Sequence, residues 1–198
     1  MQNDEQELIT SAKKGDTEAF GVIVERYMPK ALAFARHMTG NTEDSQDLAQ
    51  EAFIRAYNSL GSFKGDSGFY SWFMRILYNL CIDHLRKATF IKKVFFFASA
   101  RDEEKPDDDD PMARYADPHP ESIPDGGLEQ KELKAALNAA IIRLPARQRA
   151  VFLMKHNEGM KITEIGLALG ISEGAVKSHL VRAVSALKKS LKEYGSHE

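Results

Sequence analysis

Cysteine is nearly absent. Cys81 is the single thiol in 198 residues, so no internal disulfide can form, and no cluster of Cys and His has zinc-ligand spacing. Long hydrophobic runs are missing as well. The most apolar stretch, 91–100, is interrupted by Lys92 and Lys93 and falls far short of the roughly twenty apolar positions a membrane-spanning helix needs. No membrane insertion is therefore expected. Residues 1–7 are acidic and polar, the opposite of the basic-then-apolar opening of a secretory signal, which places the expected compartment in the cytoplasm. Catalytic constellations are lacking too. Asp83-His84 reverses the His-Asp order of metal phosphohydrolases, and His37, His119, His156, His179 and His197 have no carboxylate at ligand spacing. The glycine-rich loop 61–68 lacks the Walker lysine-serine ending and follows no strand. The expectation is no enzyme, no metal and no cofactor.

The composition that remains, 43% hydrophobic and 28% charged, is that of a soluble globular protein of one domain or two small ones. A net charge of −2 argues weakly against a polyanionic partner, but the average hides segregation. Residues 1–90 carry 10 basic and 12 acidic side chains, residues 91–128 carry 5 and 10, and residues 129–198 carry 12 and 7. A basic final third behind an acidic tract suggests one module for polyanions and a separate element that repels or mimics them.

Proline locates the boundary. Pro106, Pro111, Pro118, Pro120 and Pro124 fall in one short stretch with Asp107–Asp110 and Asp125-Gly126-Gly127, a composition that excludes helix and favours an extended or disordered chain. On either side, apolar residues recur at spacings of three and four, and hairpin dipeptides between β-branched runs are missing. The expected fold is all-α: two small helical domains, 1–97 and 129–198, joined by a flexible acidic Pro-rich linker, 98–128.

In the first domain, Asp16-Thr17-Glu18 can begin one helix and Asn41-Thr42-Glu43-Asp44 precedes another running to about Leu60, both with ordinary cap chemistry, and a further helix is expected from about Tyr70 to Lys87. Phe73, Met74, Ile76, Leu77, Leu80, Cys81 and Leu85 spread around most of its circumference, so it must be packed on several sides. Trp72, Arg75, Asn79, Asp83 and Arg86 share the remaining arc. An indole among arginine and asparagine is what an opened nucleic acid would use, by stacking and phosphate contact. A tryptophan packed on a neighbouring helix, beside a merely solvated face, explains the same spacing.

The second domain carries a more specific pattern. After Leu144-Pro145 comes a short helix, then residues 162–180 in the order expected of a helix-turn-helix. Thr163 is expected to cap the first helix, Gly166 to permit a close crossing, Gly170 to supply the left-handed turn, and Ser172 to cap the recognition helix. Ile171, Val176, Leu180, Ala183 and Leu187 point to the core. Ser172, Glu173, Lys177, Ser178 and Arg182 face away, where they can reach base edges and phosphates in a major groove.

These segments resemble the extracytoplasmic-function (ECF) sigma factors, the two-domain initiation subunits of bacterial RNA polymerase. The likeness covers nearly all of residues 7–192. It rests on Gly15-Asp16-Thr17-Glu18-Ala19-Phe20, on Asp44 through Tyr57, on Trp72 through Lys87, on Leu144-Pro145-Ala146-Arg147-Gln148-Arg149 and on the helix-turn-helix. The resemblance implies that Asp47, Gln50, Glu51, Ile54 and Arg55 meet the clamp helices of the polymerase beta-prime subunit. It implies that the loop Phe63–Phe69 and the helix behind it, through Phe63, Lys64, Phe69, Trp72, Arg75, Asn79 and Arg86, capture an unpaired base and melt the minus-ten element. It also implies that the helix-turn-helix reads the minus-thirty-five element while its module docks the beta flap, and that an anti-sigma protein is a partner. Gly166 stands where the family usually has alanine. Phe90, Ile91, Val94, Phe95, Phe96 and Phe97 are more aromatic than the family leads one to expect; they either extend the core or are covered by a partner. A regulator that binds duplex DNA alone is the alternative, although it has no need of an aromatic-basic helix before an acidic linker. An enzyme with a DNA-binding tail lacks a supporting constellation.

Overall fold

The computed structural model describes residues 2–65, 67–99 and 128–195, with side-chain environments for 4–65, 67–91 and 132–192. The regular elements among them are all helical: α1 (Gln2–Lys13), α2 (Thr17–Thr39), α3 (Thr42–Ser59) with a 3-10 turn at Leu60–Ser62, α4 (Phe69–Ser99), α5 (Leu128–Ile142), α6 (Ala146–His156), α7 (Ile162–Leu169) and α8 (Glu173–Gly195). The Pro-rich tract with Asp107–Asp110 lies outside the described residues.

Local chemistry sets most boundaries. The Asp16 carboxylate accepts the Glu18 and Ala19 N–H groups, both at 3.0 Å, and opens α2. Gly40, at φ +76°, closes it in the left-handed conformation, and Asn41 then caps α3 by accepting the Asp44 N–H. Pro29 sits inside α2. Its ring removes one helix donor, and α2 persists because Phe20, Ile23, Phe34 and Met38 on either side are buried.

Two boundaries differ from the sequence expectation. Helix α4 does not stop near Lys87 but continues to Ser99, past the start of the expected linker at 98, since nothing between Thr89 and Ser99 is glycine or proline. Phe90 and Ile91 are 69% and 54% exposed, so these two side chains stand outside the core; the side chains of Val94 to Phe97 are outside the described set. Thr163 does not cap α7. It lies within the helix, and the Glu164 carboxylate accepts the Lys161 N–H at 2.7 Å instead, a stronger, charge-assisted bond at the positive end of the helix.

In the N-terminal module α2 packs on α1 and α3, and α3 packs on α4; in the C-terminal module α5, α6 and α7 pack on α8. The two modules also meet. Helix α7 lies on α4, and α5 and α6 lie on α2, so that Phe34, Met38, Phe73 and Leu77 belong to one continuous apolar core with Leu153, Met154, Ile165 and Val176. A buried cation crosses this seam. The Arg149 guanidinium, 0% exposed, donates to the Leu144 and Ile142 carbonyls beside the end of α5 and to the Met38 carbonyl at the end of α2. Helix C-termini present carbonyls without intrahelical donors and carry partial negative charge, which is what a buried guanidinium requires.

Candidate nucleic-acid and polymerase interface

Helix α4 begins on an aromatic floor. Phe63 is 4% and Phe69 1% exposed, their rings packed edge-on at 5.9 Å, with Phe73 stacked behind Phe69 at 6.3 Å. The Lys13 ammonium donates to the Phe63 carbonyl and stands 5.4 Å from the ring centre, fixing the loop to α1. Trp72 rests on this floor, 5.2 Å from Phe63 and 5.6 Å from Phe69, and is half-buried. Phe63 and Phe69, expected to contact a base, are buried in this structure and support the loop and the indole above them. Trp72 packs on neighbours, as one of its two readings has it, and keeps part of its surface open.

Lys64, Arg75, Asn79 and Arg86 are exposed. Arg86 stands 3.7 Å from Asp83, an exposed pair of little energetic weight. Asp47, Gln50, Ile54 and Arg55 are exposed on α3 and Glu51 is half-buried, with Glu51 and Arg55 paired at 2.7 Å one turn apart. Ile54, 56% exposed, is a bare apolar side chain among these charges. The two surfaces meet at a cleft of about 430 Å³ lined by Arg55, Asn58 and Ser59 of α3 and by Ile76 and Asn79 of α4. Asn58 and Ile76 carry no functional signal in the expectations above; Asn58 follows Ile54 by one turn on the exposed side of α3, which is the pattern that points to it. His84 also gains a partner that local spacing does not reveal, with Nε2 3.3 Å from the Asp44 carboxylate across the α3–α4 interface. No group of three potential metal-ligating side chains occurs among the described residues.

The helix-turn-helix is built on three small features. A Cβ added to Gly166 would stand 2.9 Å from the Ile171 carbonyl oxygen, so a side chain here requires the turn to shift. Gly170, at φ +65°, makes the left-handed bend. Ser172 Oγ accepts the Ala175 N–H and caps α8. Val176, Ala183 and Leu187 are buried, while Ile171 and Leu180 are partly so. Ser172, Glu173, Lys177, Ser178 and Arg182 are all exposed. Burial, then Arg147 and Arg182, hold the His179 imidazole below the usual histidine range. Arg147, on α6, thus joins the basic surface of α8, a tertiary neighbour that spacing along one helix could not disclose.

Comparison with known proteins matches both modules. The Sigma-70 region 2 family model covers residues 23–91 and the Sigma-70 region 4 model residues 134–187. The chain is 33% identical to the ECF RNA polymerase sigma factor SigW of Bacillus subtilis, over 93% of this chain and 95% of that protein. It is 31% identical to the RNA polymerase sigma-H factor of Pseudomonas aeruginosa, over 96% and 95% of the two chains. In fold it is similar to CnrH, solved in complex with the cytosolic domain of CnrY, with a TM-score of 0.67 at 22% identity over 96% of this chain and 98% of that one. It is also similar to RpoE of Bartonella quintana, solved with the anti-sigma factor NepR, with a TM-score of 0.65 at 22% identity over 87% and 96%. No described helix is long and apolar enough to cross a membrane. The chain belongs to the ECF sigma factor family, as an initiation subunit of RNA polymerase that recognises promoter DNA and is not an enzyme.

Proposed function

We propose a residue-level division of labour within this alternative sigma factor. The exposed face of α3, through Asp47, Gln50, Glu51, Ile54 and Arg55, docks on the clamp helices of the polymerase beta-prime subunit. The strip of Lys64, Trp72, Arg75, Asn79 and Arg86 receives the separated non-template strand of the minus-ten element, with Phe63 and Phe69 as its buried support. The face of Ser172, Glu173, Lys177, Ser178 and Arg182 reads the minus-thirty-five element in the major groove, and the C-terminal module docks the beta flap. The functional units are then 1–99 and 128–198 joined by 100–127, a small shift from the boundaries expected from composition. The work is done in the cytoplasm, where polymerase and chromosome are. By likeness to RpoE of Bartonella quintana, solved with the anti-sigma factor NepR, an anti-sigma protein is a partner, and the exposed Phe90 and Ile91 are candidate contacts.

The observation that carries this reading is the shared cleft. Arg55 and Asn58 of the polymerase-facing helix and Asn79 of the strand-facing helix line one depression, so docking through α3 presents the α4 strip directly to the DNA beside it. Transcription with purified core polymerase tests the assignment. The double variant Arg75→Ala, Asn79→Ala should lower initiation on duplex promoter by tenfold or more while largely sparing a template already opened around the start site. Equal loss on both templates would remove the strand-opening role from α4.

A further inference from the structure

Helix α1 carries none of the candidate contact residues assigned above, and the matched region 2 model begins only at residue 23. Yet α1 reaches the loop from which the α4 strip starts. Lys13, in its last turn, donates from Nζ to the Phe63 carbonyl and holds its ammonium 5.4 Å from the centre of the Phe63 ring. The rest of Phe63 is occupied elsewhere. Its N–H donates to the Leu60 carbonyl at 3.1 Å, closing the 3-10 turn, and its ring lies 5.2 Å from Trp72 and 5.9 Å from Phe69. Lys13 therefore takes the remaining backbone group of this residue. That carbonyl belongs to the same planar peptide unit as the Lys64 N–H, so a bond to it fixes the direction in which the chain leaves for the exposed Lys64 and for Gly65, which turns it at φ +82°.

Such a bond positions the loop only if its donor end is itself held. Ile9 and Ala12 of α1 are buried in the core. The other end of the helix is tied to α2, where Arg26 donates to the Asp4 carboxylate at 2.8 Å and the Tyr27 hydroxyl donates to Glu5. A charged donor makes the stronger kind of hydrogen bond to a carbonyl, and a cation over an aromatic face adds to it. Both restraints on Phe63 come from one ammonium, so removing that group releases them together.

We propose that Lys13 is a positioning residue for promoter opening: it sets the backbone at residues 63–65 so that Lys64 and the Trp72 indole stand in place before a base leaves its stack. Lys13 acts through Phe63 rather than by touching DNA. Without it the loop has to be ordered at the moment of capture, a cost that falls on strand opening and not on attachment to polymerase. The role in opening deepens the division of labour proposed above and rests on it, whereas the restraint on Phe63 and Trp72 is measurable in the free chain.

The test uses the full chain, alone and with core polymerase on a duplex promoter carrying 2-aminopurine in the non-template strand of the minus-ten element, whose fluorescence rises as the base unstacks. Lys13→Met removes the charge and the donor, and Lys13→Arg restores both. Lys13 is exposed, and circular dichroism with a cooperative melt establishes that both variants are folded. In the free chain, Lys13→Met should increase acrylamide quenching of Trp72, the single tryptophan. On the promoter it should slow the fluorescence rise about tenfold, the usual weight of a hydrogen bond from a charged group, at unchanged affinity for core polymerase. Lys13→Arg should return both signals toward those of the parent chain. Opening at the parent rate in Lys13→Met, or a Lys13→Arg chain as slow as Lys13→Met, overturns the proposal. So does a salt dependence of promoter binding whose slope falls by about one in Lys13→Met, since that is the mark of a direct phosphate contact. The variant Arg75→Ala, Asn79→Ala is run beside these. If it is slow while Lys13→Met is not, the division of labour stands and the role of Lys13 falls; if Lys13→Met alone is slow, the loop keeps its role and the α4 strip loses its own.

Discussion

The two candidate DNA-facing surfaces hold their side chains in different ways. On α4 the exposed strip stands on buried aromatic rings, Phe63, Phe69 and Phe73, with the half-buried Trp72 between floor and solvent. On α8 the exposed face is basic and polar, carried by a helix whose attachment depends on Gly166, Gly170 and Ser172. The N-terminal surface is therefore supported by bulk that excludes water and fixes an indole, a device suited to bases removed from their stack. The C-terminal surface depends on the absence of bulk at a turn, which sets the angle at which a helix can enter a groove. One site should fail when volume is removed and the other when volume is added.

The largest effect is expected on the first surface. Phe69→Ala removes a fully buried ring from beneath Trp72 and should destabilise the N-terminal module by about 3–5 kcal/mol, seen as a lowered melting midpoint and a red shift of tryptophan emission. A change below about 1 kcal/mol would mean that the floor is not a packed support. Next in size is Gly166→Val, the opposite test. Its side chain must displace the Ile171 carbonyl, at a cost of roughly 1–3 kcal/mol, and duplex binding should weaken while the Trp72 signal is preserved. Tight, sequence-specific duplex binding by this variant would show that the turn has slack.

The smallest effect is a pH dependence confined to the C-terminal module. His179 titrates below its ordinary value of 6.5 because burial, Arg147 and Arg182 disfavour its charged form, so around and just below that pH the unfolded chain binds more protons than the folded one. Stability conferred by this group is present above about 6.5 and is lost as pH falls toward the lower folded value. Replacing His179 with asparagine should flatten the acid limb of the stability profile. An unchanged limb would assign it to other groups.

Much of the fold and of the two surfaces is legible in the amino-acid sequence. Asp16, Asn41, Gly170 and Ser172 each act through bonds or dihedrals within a few residues, and local sequence specifies such features. The outward set on α8 follows from period 3.6 alone. Sequence and structure part where a side chain has more than one satisfactory environment. Phe63 and Phe69 in a loop read equally well as exposed stacking groups or as core, and only the positions of α1 and α4 around them decide between these. Thr163 loses its capping role to Glu164 because a carboxylate one residue further on makes the stronger bond. Arg149 reads as part of a basic helix, yet three carbonyls from the ends of two distant helices absorb its charge.

Periodicity, capping and composition suffice to specify an all-helical chain in two modules, a helix-turn-helix in the second and an α4 strip carrying Arg75, Asn79 and Arg86, while motifs in a fixed order carry membership of the sigma family. All but the last act over a turn or two of helix, which is why they can be read along the chain. Packing between distant segments settles the rest: that α7 lies on α4, that Tyr70 meets Glu158, that Arg149 reaches Met38 and that Arg55, Asn58 and Asn79 share a cleft. Each of these joins residues from separate helices, and their meeting is set by which apolar faces bury one another, a choice that no local pattern encodes.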